Sequence, residues 1–99
     1  MSKIHIKRTH KLSHDEARGR VESIAKQLKK KLDANYTWQG DSLKFKRSGA
    51  SGSIDVGKDF IDINIELGLM LTPMKGKIEQ SIKEHVNVAL ADNKDTKLT

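Results

Sequence analysis

The chain has no cysteine, which excludes a disulfide framework, a cysteine-ligated zinc site and a thiol nucleophile, and suits a reducing compartment. Its single proline, Pro73, leaves no proline-rich linker, and neither an internal repeat nor a low-complexity segment interrupts the rest. Aromatic residues are scarce: one tryptophan, one tyrosine and two phenylalanines. That works against a single-stranded nucleic-acid platform, which stacks bases on exposed rings. Phe60 is the candidate for such a ring, since Trp38 and Tyr36 are expected in the core. Long apolar runs are missing as well. The first twenty residues are charged throughout, with no signal-peptide core, and no stretch approaches the ~20 apolar residues of a membrane-spanning helix. The expectation is a soluble, cytoplasmic protein.

What remains is 99 residues, 35% hydrophobic and 32% charged. Such a chain is long enough to bury roughly two thirds of the surface it would expose when unfolded. One domain over residues 1–92 is expected, with a frayed polar tail over residues 93–99. The formal charge is +6, unevenly spread. Residues 1–47 hold thirteen Lys/Arg against five Asp/Glu, giving +8, whereas residues 48–99 hold six against eight, giving −2. A basic first half can serve nucleic acid, an anionic surface or solubility alone.

Ile4 and Ile6 alternate with His5 and Lys7, the period of a half-buried strand. Ser13-His14-Asp15-Glu16 reads as a capping box opening a helix. The buried face of that helix runs Ala17, Val21, Ile24, Ala25, Leu28, Leu32, and it should end near Asp33-Ala34-Asn35. Tyr36 to Gln39 and Ser42 to Arg47 form a hairpin about Gly40-Asp41. A second glycine-containing turn over Ser48 to Gly52 leads to a strand with Ile54 and Val56. Ile61, Ile63, Ile65, Leu67, Leu69 and Leu71 then recur at every second position, predicting a strand apolar on one face, with Gly68 as a bulge or bend. Thr72-Pro73 predicts a helix start with threonine as N-cap. The helix should bury Ile78, Ile82, Val86 and Ala89, with Met74 and Leu90 at its flanks. The order is β-α-β-β-β-β-α or β-α-β-β-β-α. It predicts an α+β fold: a mainly antiparallel sheet of about four strands with two helices on one face, similar to an abbreviated helix-grip fold.

The histidines invite a metal reading, since His5, His10 and His14 fall close together. Strand alternation sends His5 and His10 to opposite sides, and the His10–His14 spacing straddles a helix cap, so no ligand set converges. Asp15 and Glu16 belong to the capping box and the helix dipole. His85 sits beside the apolar stripe of the second helix, without a serine, aspartate or second histidine placed to orient it. Lys29-Lys30-Lys31 complements the negative end of the first helix. The Ser48–Gly52 run lacks the Lys-Ser/Thr pair and following helix of a phosphate loop. No catalytic constellation, cofactor or metal site is expected. The surface singled out is the outward sheet face carrying Lys3, His5 and Lys7 from the first strand and Lys44 and Lys46 from the third, interrupted by Asp62 and Glu66.

The stretches "HKLSHDEAR", "YTWQGDSLKFKRSGASGSIDV" and "LGLMLTPMKGKIEQSI", with their Trp-x-Gly-Asp, Phe-x-Arg-Ser-Gly and Leu-Gly-x-x-Leu-x-Pro-x-Lys-Gly patterns, closely resemble the small bacterial polyhydroxyalkanoic acid system proteins. These are encoded beside genes for storage-polyester synthesis. The resemblance spans about residues 3–90 and implies an association with polyhydroxyalkanoate metabolism, with the granule or a granule-associated protein as partner. It carries over no catalytic residues. The leading expectation is a non-catalytic accessory or binding protein. The alternatives are a nucleic-acid-binding module using the basic half and a small-ligand carrier with a pocket between sheet and helices. The carrier ranks lowest, because apolar residues at every inward position should fill the core.

Overall fold

In the computed structural model, which describes residues 2–90, five strands and two α-helices follow one another as β1 (Ser2–Thr9), α1 (His14–Leu32), β2 (Asn35–Gln39), β3 (Ser42–Arg47), β4 (Ala50–Val56), β5 (Phe60–Leu67) and α2 (Lys75–Leu90). A single turn of 3-10 helix over Thr72–Met74 precedes α2. The expected tail over residues 93–99 lies outside the described residues. The sheet is antiparallel throughout, in the order β1-β5-β4-β3-β2, so it has five strands where about four were expected. β1 and β2 form opposite edges, and α1 crosses between them. The meander β2 to β5 then returns the chain to β1.

The register aligns side chains in rows across all five strands. Ile6, Ile63, Ile54, Leu43 and Trp38 lie side by side on the inner face. α1 packs over the β2–β4 side and α2 over β1. The helices run antiparallel, with Arg20 Nη1 of α1 donating to the Ala89 carbonyl near the end of α2 at 2.7 Å. Their stripes close the core: Ala17, Val21, Ile24, Ala25 and Leu28 from α1 meet Ile78, Ile82 and Val86 from α2. Leu32, Ala89 and Leu90 are only partly buried, because each stands where its helix leaves the sheet.

The capping box is complete: Ser13 Oγ accepts from the Glu16 amide, and the Glu16 carboxylate accepts from the Ser13 amide. α1 stops at Asp33, a left-handed C-cap with φ 57° whose N–H donates to the Lys29 carbonyl. Glycine suits such a position better, since a Cβ is strained there.

Two expectations fail at the β5–α2 connection. β5 ends at Leu67 instead of continuing to Leu71, because its neighbour β4 begins at Ala50, opposite Leu67, after the tight turn at Ser48-Gly49. The Gly68 N–H then donates to the Gly49 carbonyl at 2.8 Å and the chain bends away. Thr72 is not a helix N-cap either. Its hydroxyl turns back to donate to the Gly68 carbonyl at 3.0 Å, and Leu71 takes the cap position ahead of Pro73. The bend at Gly68 offers Thr72 an acceptor nearer than the amides of the coming helix. Gly49, at φ 85°, has the Leu71 side chain against its missing Cβ position, so the hairpin and this connection are docked together.

Candidate functional site

The register places all five singled-out residues, Lys3, His5, Lys7, Lys44 and Lys46, on the outward face, but in two groups. Lys3, Glu66, Ser51, Lys46 and Asn35 form one cross-sheet row. His5, Asn64, Ser53, Lys44 and Thr37 form the next, and Lys7, Asp62, Asp55, Ser42 and Gln39 the third. Two strands separate the β1 group from the β3 group, a gap of about 14 Å at normal strand spacing. The acids of β4 and β5 fill that gap. His5 Nε2 meets Asp62 Oδ1 at 2.5 Å, Ser42 Oγ donates to Asp55 Oδ1 at 2.5 Å, and Lys7 Nζ lies 4.7 Å above the Phe60 ring. This face is therefore a mixed-charge surface, its four lysines set against three carboxylates.

The histidines stay apart. His5 faces Asp62, while His14 Nε2 lies 3.2 Å from Asp41. His10 is buried just beyond the end of β1, where its Nδ1 accepts from the Leu12 amide. Among the described residues no group of three metal-capable side chains gathers.

A different set of cations comes together at one end of the molecule. The last turn of α1 brings Lys29, Lys30 and Lys31. The β3–β4 turn brings Lys46 and Arg47, and the start of β1 brings Lys3, beside Glu66 and one position from the Leu67 terminus of β5. Lys75 and Lys77 follow on the first turn of α2. Arg47 binds the parts together, its Nη1 donating to the Leu32 carbonyl at 2.9 Å, an otherwise orphaned acceptor at a helix end. The 68–74 connection lies at the same end, with Leu69 77%, Met70 90% and Met74 44% exposed. These are three of the four large apolar side chains that are exposed among the described residues; the fourth, Val88, lies far along α2. Leu69 and Met70 were missed from the sequence because their alternation continues that of β5. The available signal was an apolar run trapped between two breakers, Gly68 and Thr72-Pro73.

Behind the tip, a cavity of about 70 Å³ remains between the sheet and the helices, walled by Leu28, Phe45, Ile65, Leu71, Ile78 and Ile82 among others. At the other end of the sheet edge, α1 holds β2 through Glu22. Its carboxylate accepts from Trp38 Nε1 at 2.7 Å and from the Tyr36 hydroxyl at 2.5 Å, and the Arg18 guanidinium stacks 4.1 Å from the Trp38 ring. The Trp38 and Tyr36 donors hold the Glu22 carboxyl below its ordinary range, and the hydrogen bond that Tyr36 donates to Glu22, with burial, raises the phenol. This trio anchors a sheet edge.

The fold and this end together define a small α+β protein, one antiparallel sheet backed by two helices, with an apolar tip at its basic end. The chain belongs to the family described as "Putative polyhydroxyalkanoic acid system protein", whose profile matches residues 4–90, which ties it to polyhydroxyalkanoate systems as the sequence resemblance implies. No curated protein and no solved structure matches it. Among the described residues no helix is long and apolar enough to cross a membrane.

Proposed function

We propose that the protein is a non-catalytic accessory of the cytoplasmic storage-polyester system that docks on the polymer granule through its apolar-tipped basic end. The observation that carries this reading is the exposure of Leu69, Met70 and Met74 at the end of the fold where the lysines of the last turn of α1 and the first turn of α2 also lie. Large apolar side chains cost free energy in water, about 1.5–3 kcal/mol each relative to burial, so a contiguous group of them favours contact with an apolar body. The surrounding lysines add attraction to any anionic coat on that body and steer the approach. Lys44 and Lys46 extend the positive field along β3, whereas the sheet face beyond them is divided by Asp62, Asp55 and Glu66.

The nucleic-acid reading draws on the same cations, and salt separates the two. Phosphate binding falls steeply and log-linearly with salt because each contact releases counterions. Docking through Leu69 and Met70 keeps its apolar part at physiological salt. The experiment is co-sedimentation of the purified protein with isolated granules, beside titration with single-stranded DNA and RNA, at low and physiological salt. Wild type should sediment with granules at both salts, Leu69→Asp/Met70→Asp should not, and Lys44→Glu/Lys46→Glu should bind granules more slowly. Nucleic-acid affinity that persists at physiological salt, with no granule association in any variant, replaces this reading with the other.

A further inference from the structure

The cavity behind the tip has a second wall facing solvent. Leu28, Leu32, Met74, Ile78 and Ile82 line both that cavity and a groove of about 230 Å³ lying between α1 and α2. The two adjoin across these side chains, which give the groove an apolar slot between the helices. The groove is larger than the engineered cavity of about 150 Å³ that takes up benzene in a dry protein interior. Its size suits one aliphatic chain of medium length and excludes a two-chain lipid.

The mouth is different in kind. Lys31 comes from α1 and Lys77 from α2, with Gln27, Ser81 and His85 completing the polar rim, and no carboxylate lines it. His85 Nε2 is out of reach of solvent and has no hydrogen-bond partner among the described residues. A buried polar atom without a partner is expensive, so a ligand atom that supplied one would be favoured. We propose that the α1–α2 groove binds an aliphatic carboxylate of medium chain length. Its chain lies in the slot over Ile78 and Ile82 and its carboxylate at Lys31 and Lys77, within the neighbourhood of His85. The groove shares Lys31, Met74 and Lys77 with the docking end but not Leu69 and Met70, so Leu69→Asp/Met70→Asp abolishes docking while leaving the groove intact and keeps the two readings distinguishable.

The test is calorimetric titration of the full chain with straight-chain carboxylates of increasing length, below their micelle-forming concentrations. Alkylammonium ions of matched length and hydroxylated carboxylates are run beside them. Each added methylene should tighten binding about fourfold until the slot is full, the factor expected for transferring one methylene from water. Affinity should then level off. Alkylammonium ions should bind more weakly, and Lys31→Glu/Lys77→Glu should reverse that preference with the circular dichroism spectrum unchanged. Ala34→Leu, which places bulk at the cavity floor, should shorten the longest chain accommodated. Tighter binding of the hydroxylated acids that is lost in His85→Leu identifies the storage monomer as the source of the ligand. Equal binding identifies plain fatty acids. Affinity independent of chain length, equal binding of ammonium and carboxylate head groups, or no binding to any carboxylate overturns the proposal.

Discussion

Replacing Glu22 by alanine removes both acceptors that tie Tyr36 and Trp38 of β2 to α1. A hydrogen bond to a charged group contributes about 1.5–3 kcal/mol when well buried. All three residues are half-buried, so water partly replaces the lost acceptor for each donor, and the two bonds share one carboxylate. The expected cost is about 1–3 kcal/mol in total, slightly offset by the better helix propensity of alanine. At about 4–8 °C per kcal/mol for a domain of this size, the melting temperature should fall by roughly 4–24 °C. Thermal denaturation followed by far-ultraviolet circular dichroism measures it without relying on Trp38, whose emission the substitution itself alters. The pH dependence gives a second reading. Trp38 and Tyr36 lower the Glu22 pKa on folding, so the contribution is fully present above the ordinary glutamate value of about 4.5 and is lost as pH falls through the lower folded value. The Tyr36 phenol is raised, so the same interaction weakens again as pH rises from about 10.0. The difference between wild type and Glu22→Ala should therefore be flat across neutral pH and shrink toward both extremes. A variant as stable as wild type at pH 7, or a difference that grows as pH falls toward 3, refutes the reasoning.

Ile63→Asp should unfold the domain or nearly so, because Ile63 is fully buried and an unpaired buried carboxylate costs several kcal/mol out of about 5–15 available. Glu66→Lys, on the opposite face, should be far milder; equal losses in urea denaturation would mean that the facing of β5 is wrong. Ser13→Ala should cost about 0.5–2 kcal/mol through the lost capping box, read as a shift in denaturation midpoint. Asp33→Gly should stabilise by about 0.5–1 kcal/mol, since glycine relieves the left-handed C-cap; a destabilised variant would show that the aspartate side chain contributes more than its strain costs.

The architecture was largely legible because local signals agreed with one another. The Ser13–Glu16 box, the i, i+3, i+4 stripe of α1 and the Gly40-Asp41 turn each specify structure within a few residues, and each is found where it was expected. The failure at residues 68–74 has the opposite character. Alternation of Leu67, Leu69 and Leu71 is a sufficient signal for a strand only while partner strands are present to pair with it. β1 begins at Ser2 and β4 at Ala50, opposite Leu67, and that limit is a property of the register between distant segments. The Thr72 cap failed for a related reason: its competing acceptor, the Gly68 carbonyl, exists only because the strand has already ended.

The same dependence on register explains why the lysines were grouped differently by the sequence and by the fold. Strand parity correctly assigns Lys3, Lys7, Lys44 and Lys46 to one face, but parity is silent about which strands are neighbours. The meander inserts β4 and β5 between β1 and β3, and with them Asp55, Asp62 and Glu66. Antiparallel topology also decides which ends coincide. β3 leaves the sheet where α1 arrives, so Arg47 reaches the Leu32 carbonyl, and β5 ends where β1 begins, so Lys3 stands beside the apolar tip. Lys29, Lys30 and Lys31 were read as satisfying a helix dipole, and they stand in the last turn of α1 as that reading requires. Their position at the same end as the 68–74 connection is an additional consequence of where α1 ends relative to the sheet. Residues from five separate segments thus converge on one end while each keeps a local structural reason to be where it is. For that reason Lys44→Glu/Lys46→Glu and Leu69→Asp/Met70→Asp are informative as a pair: the first alters a field visible in the sequence, and the second removes an apolar surface that only the ending of β5 exposes.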